Sequence, residues 1–211
     1  MARGETPSYE RLAGVCAIAL GAGGLAYAVS FVLILRKSEP RAAETASALF
    51  LLIGGLLTIV VLVALYGRLR ETEPSFAMLG LLLGTVAAIG STAHGGYDLA
   101  NIANPPGVSL GASPSAQDPR GLLTFGVMSL SVLVMSWLII RSGTLPRRLG
   151  HLGYVSALLL MVIYLGRLIV LDPESPLLLA TALLAGFVVN PTWFVWLGLE
   201  LRRAPATVGS D

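Results

Sequence analysis

The chain has 211 residues, 55% of them hydrophobic and 12% charged, with a mean hydropathy of +0.79. A soluble domain carries about 25% charged residues, and here the few charges gather in short clusters between long apolar stretches, which excludes an ordinary soluble domain. The net charge is only +2 and no basic patch interleaved with aromatics occurs, which argues against nucleic acid as a partner.

The first apolar stretch covers about 12–35 and follows Arg3 and Arg11. Ala26-Tyr27-Ala28 imitates a small-residue cleavage site, but apolar residues continue through Phe31–Leu35. That is longer than the roughly 7–15 residues of a signal-peptide core, so the stretch reads as a membrane span. Cys16, the single cysteine, lies within it. A lone cysteine excludes an intrachain disulfide and a CxxC pair, and Cys16 reads as a small apolar filler.

Five further stretches follow, at about 46–66, 76–99, 122–140, 152–171 and 177–201, each bounded by charges, Pro or Gly clusters. About 20 apolar residues suffice to cross a hydrocarbon layer roughly 30 Å thick. Backbone groups in lipid must pair within the segment or in a closed barrel, and runs such as Ala48–Leu65 lack the alternation of barrel strands. The expected fold is therefore all-α: a single transmembrane domain over 1–211, a polytopic bundle of six helices. The longest connection, about 104–120, is rich in Pro, Gly, Ser and Asn and reads as a functional loop or a disordered one.

Arginine placement gives the orientation. With six spans, one side holds Arg3, Arg11, Arg68, Arg70, Arg141, Arg147, Arg148, Arg202 and Arg203, nine basic residues, against Arg36, Lys37, Arg41 and Arg120 on the other. The richer side is cytoplasmic by the positive-inside rule, so both termini are expected inside, with the chain in the inner (cytoplasmic) membrane.

Small residues mark close helix packing. Gly14, Ala17, Gly21 and Gly24 supply it in the first span, Gly54-Gly55 in the second, and Gly80 and Gly84 in the third. Packing within the bundle is expected over packing between copies.

Polar residues at membrane depth point to function. Ser91, His94, Tyr97, Asp98 and Asn101 share one broad face at the outer end of the third span. His94 and Asp98 are four apart, and an aspartate accepting the ring N–H raises the basicity of the other nitrogen. At a rise of roughly 1.5 Å per residue, His94 stands about 27 Å above Phe76 and Arg167 about 22 Å above Leu152, so both reach the outer interface. The expectation is an outward-facing ligand site of His94, Tyr97, Asp98, Asn101 and Arg167. In the competing reading Arg167 reaches the interface and pairs with Asp172, while His94 and Asp98 mark a helix end.

No HExxH, CxxC, GxSxG or P-loop occurs, and His151 starts the fifth span a membrane thickness from His94. No cofactor and no metal site is expected. In the sixth span Pro191 frees a carbonyl near residue 187 and kinks the axis, and Asn190 before it can bond to a neighbouring helix. Trp137, Trp193 and Trp196 lie toward the inner side and read as an aromatic belt.

The closing Asn190-Pro191-Thr192-Trp193-Phe194-Val195-Trp196-Leu197-Gly198, with the six-span layout and the His94–Asn101 stretch before a Pro-rich outer loop, resembles a bacterial family of small six-helix membrane proteins of unknown function. The resemblance implies a fold and transfers no activity or catalytic residue. The expected function is a non-enzymatic membrane protein that binds a lipid, a small ligand, a partner membrane protein or a second copy at the outer polar face. A small transporter or channel is the alternative, and an intramembrane enzyme using His94 and Asp98 is a further one.

Overall fold

The computed structural model describes residues 8–30, 41–104, 121–169 and 175–203, apart from the side chains of 167 and 168. Among these residues there is no strand. Six helices make up most of the described residues: α1 (Ser8–Ala28), α2 (Arg41–Leu69), α3 (Pro74–Ala103), α4 (Leu122–Ser142), α5 (Arg147–Ile169) and α6 (Pro176–Leu201). Each is long and apolar enough to cross a membrane, and the chain has the build of a multi-pass membrane protein. The helices overrun most of the apolar stretches that announce them, because polar residues extend a helix beyond its hydrophobic part. Residues 31–35 of the first stretch and 105–120 of the long loop lie outside the described residues.

Local chemistry sets the ends. Pro176 opens α6 after Ser175, and Pro74 opens α3 after an extended Glu73; proline suits the first helical position because that N–H has no partner in any case. Gly143 closes α4 at φ 67°, a left-handed conformation that glycine adopts without a Cβ clash. The turns at Arg70–Glu73 and Gly143–Pro146 are short, so α2 and α3, and α4 and α5, return antiparallel.

The helices stand up and down in chain order, each against the next, and α1 closes the ring against α6. Glycine lets several pairs approach closely. A Cβ at Gly14 would meet the Gly198 carbonyl at 2.7 Å, and one at Gly21 the Pro191 carbonyl at 2.9 Å. Gly55 and Gly95 do the same between α2 and α3, against Ala88 and Thr92 and against Ala48 and Leu52. Gly80 lies on Met135 and Gly84 on Ser131, joining α3 to α4. These glycines thus pack within the bundle. Gly24 is different, with nothing among the described residues within 4 Å of an added Cβ.

One end of the ring gathers the start of α1, α3 and α5 and the finish of α2, α4 and α6. Most described arginines lie there, and it is called the basic end below. Large side chains fill the core at this end: Leu65, Leu69, Leu138, Leu149, Leu197 and Leu201 are all fully buried. Toward the other end the buried apolar residues are mainly small, among them Ala28, Ala43, Ala48 and Ala185, with Leu160 and Leu178 as larger exceptions.

Candidate functional site: a polar station at the end opposite the arginines

The end with the small-residue core is where α3 carries its polar face. His94 and Asp98 meet there, Nε2 to Oδ2 at 3.4 Å, with the histidine side chain 14% exposed and the aspartate 35%. The other ring nitrogen, Nδ1, stands 3.4 Å from the Thr124 hydroxyl of α4. When Nε2–H donates to the carboxylate, Nδ1 of the neutral ring is an acceptor and Thr124 donates to it; a protonated ring donates at both nitrogens. Both separations are long for hydrogen bonds of this kind, and Asp98 and Thr124 flank the imidazole from two sides.

Thr124 reaches His94 because α4 begins with a wide i→i+5 turn over Leu122–Val127. Such turns occur mostly as single inserts in α-helices, frequently at functional sites. Leu123 of this turn fills the space left by Gly90, and Ser129 donates to the Gly126 carbonyl at 2.9 Å. The Tyr164 ring of α5 packs on Gly126, 3.0 Å from where a Cβ would stand. α4 therefore meets the histidine directly, and α5 packs on the turn that carries Thr124.

The sequence-predicted residues divide among several places. His94 and Asp98 come together as expected. Tyr97 is 45% exposed and Asn101 half-buried on the same helix. Arg167 lies three residues beyond Tyr164 on α5, but its side chain is outside the described residues, as are Asp172 and Glu174. Thr124 and Tyr164 are the additions. Neither stands out in sequence, since a threonine at a span's start and a tyrosine near its end are ordinary interfacial residues; Thr124 is distinguished by its contact with His94, and Tyr164 by its packing on Gly126 of the same wide turn.

Asn190 and Pro191 form a separate feature nearer the middle of the bundle. A second wide turn, Ala185–Val189, precedes Asn190 and absorbs the missing proline N–H. Ser156 of α5, 3% exposed, donates to Asn190 Oδ1 at 2.6 Å. The carbonyl of Pro191 faces the glycine surface of α1, so α6 is held on both sides of its kink.

The tryptophans correct one expectation. Trp193 is no part of an aromatic belt: it is 3% exposed and packs in the core, edge-on to Phe194 at 4.9 Å. Gly153 leaves the room for it. The indole Nε1 and the Ser136 hydroxyl beside it are buried without hydrogen-bond partners among the described residues. Trp137 and Trp196 remain half-buried toward the basic end.

Polar groups also continue below the histidine, along α4 rather than α3. Ser129, Ser131 and Ser136 are all buried. Ser131 donates to the Gly80 carbonyl of α3 at 2.7 Å, which makes it a packing contact between helices. Among the described residues no three His, Cys, Asp or Glu side chains gather where they could hold a metal ion. No family model matches the chain, and no curated protein and no solved structure matches it either.

Proposed function

We propose that this is a multi-pass protein of the cytoplasmic membrane, both termini inside, that binds a small polar ligand or lipid head group at its outer end without chemically changing it. The observation that carries the reading is His94, placed between Asp98 and Thr124 where the core is built of small residues. A histidine and a carboxylate at this depth carry a desolvation cost that an apolar pair would avoid. Together they offer an acceptor and a switchable donor to a polar group approaching from the outer face. The orientation follows from the excess of arginine on the other end.

A binding role is favoured over transport by the opposite end of the core. Leu65, Leu138, Leu149 and Leu197 are fully buried there, and a transport path through the bundle's centre requires them to separate. Two of the three buried serines of α4 do not line such a path: Ser129 and Ser131 hold helix carbonyls.

Native mass spectrometry of the protein released from its membrane in mild detergent tests the reading. The expected result is a discrete retained mass that disappears in Asp98→Asn while the melting temperature stays within a few degrees. A bare chain, or a retained mass indifferent to Asp98→Asn and to Thr124→Val, overturns it.

A further inference from the structure

The basic end, distant from His94, carries arginines whose arrangement is independent of the reading above. Several arginines there are already engaged. Arg68 contacts Glu10 at 2.6 Å, Arg203 contacts Glu200 at 2.7 Å, and Arg141 stands 3.7 Å from Glu73. Arg147 and Arg148, consecutive at the start of α5, take part in no ion pair among the described residues and are exposed. Their neighbours dictate this. Leu145 (4% exposed) and Leu149 (fully buried) anchor the turn in the core, so Arg147 and Arg148, exposed between them, face outward.

The turn itself is short and firm. Gly143 reverses the chain at φ 67°, and the Ser142 and Thr144 hydroxyls are 2.9 Å apart. Arg141 and the Arg147–Arg148 pair therefore flank one short turn at the rim of the basic end. Below that rim lies an aromatic shelf. The Arg141 guanidinium sits 4.7 Å from the Trp137 ring centroid, and Phe76, 47% exposed, packs against Trp137 at 5.0 Å. Exposed cations at the same end of the bundle as half-exposed aromatic rings, with Arg141 directly over one of them, match the boundary between phosphate head groups and acyl chains.

We propose that this rim binds an anionic phospholipid, its head-group phosphate at Arg147 and Arg148, with Arg141, which Glu73 holds only loosely at 3.7 Å, adding charge beside them, and its acyl chains along Phe76 and Trp137. A zwitterionic lipid brings a compensating cation to the same rim and gains less from it. A free phosphate gains nothing from the aromatic shelf. Arginine presents a planar fork that fits phosphate oxygens in pairs, and a basic residue near an anionic membrane surface contributes about 1 kcal/mol, a roughly fivefold preference.

The test is native mass spectrometry of the whole protein from detergent micelles doped with equal phosphatidylglycerol and phosphatidylcholine of matched chains. Retention of phosphatidylglycerol over phosphatidylcholine is expected, falling about tenfold or more in the Arg147→Gln/Arg148→Gln variant. The Arg11→Gln/Arg70→Gln variant removes the same charge elsewhere on this end and is expected to keep the preference. Both variants alter exposed side chains, and an unchanged melting temperature confirms their folding. Equal retention of the two lipids overturns the proposal. So does an equal fall in both variants, which shows diffuse attraction to the whole basic end, and so does displacement of the lipid by millimolar inorganic phosphate, which shows a free-anion site. None of these outcomes bears on the His94 end.

Discussion

Arg68 and Glu10, 58 residues apart in the chain, are joined by two hydrogen bonds, from Nη2 at 2.6 Å and from Nε at 3.1 Å to the same carboxylate oxygen. The Arg68 side chain is 5% exposed and that of Glu10 15%. The same guanidinium donates to the carbonyls of Leu201 at 3.3 Å and Arg203 at 2.8 Å. One side chain at the end of α2 thus ties the first turn of α1 to the last turn of α6, whose terminal carbonyls lack partners within their own helix. Arg68→Gln is expected to destabilise the protein by about 3–5 kcal/mol, because it leaves a largely buried carboxylate uncompensated. A melting curve in detergent checks this; a loss below about 1 kcal/mol, the level of a surface pair, refutes it.

The glycines that line α1 are expected to differ sharply under substitution. A Cβ at Gly198 meets Ile18 Cγ1 at 2.8 Å and backbone atoms of α1, so Gly198→Val is expected to cost about 1–3 kcal/mol or more by overpacking. Gly24→Ala meets nothing and replaces glycine in a helix interior, so it is expected to be neutral or to stabilise by up to about 1 kcal/mol. Comparing the two melting temperatures decides whether close approach or helix propensity governs this helix.

Ser156 and Asn190 are expected to act as a pair. Removing either hydrogen-bonding group, as Ser156→Ala or Asn190→Ala, leaves the other unsatisfied, while removing both leaves none. A double-mutant cycle is expected to return a coupling of about 0.5–1.5 kcal/mol. A coupling of zero means that the 2.6 Å contact makes no net contribution to stability and that the kink of α6 rests on α1 alone.

Trp193 offers a different kind of test. Its ring fills core volume while its N–H has no partner among the described residues. Trp193→Phe removes a buried donor whose desolvation is uncompensated, about 1–3 kcal/mol, together with part of the indole volume. The two effects oppose, and a net change within about 1 kcal/mol is expected. Trp193→Ala keeps only the loss, at about 3–5 kcal/mol. A Trp193→Phe variant as damaged as Trp193→Ala shows that the N–H is bonded after all.

The sequence by itself determined that the chain is helical, where its six apolar helices lie and that His94 and Asp98 share a face. All of these depend on residues near one another in the chain: run length, the prolines at Pro74 and Pro176, Gly143 past the end of α4, and a spacing of four. Apolar runs state their own length, and a helix places i and i+4 together whatever surrounds them. The ends were less legible, since polar residues such as Arg41, Glu44, Arg147 and Arg148 continue a helix that hydropathy alone stops short of.

Tertiary structure alone decided which faces meet. Thr124 reaches His94 through a wide turn that no local pattern announces, Trp193 leaves the expected belt because Gly153 on another helix makes room for it, and Arg68 finds Glu10 only once the ring has closed. In these helices apolar residues occur on all sides, so their pattern does not say which face turns inward. That choice rests on the fit of glycines against side chains and carbonyls on neighbouring helices, and such complementarity exists only between segments distant in sequence.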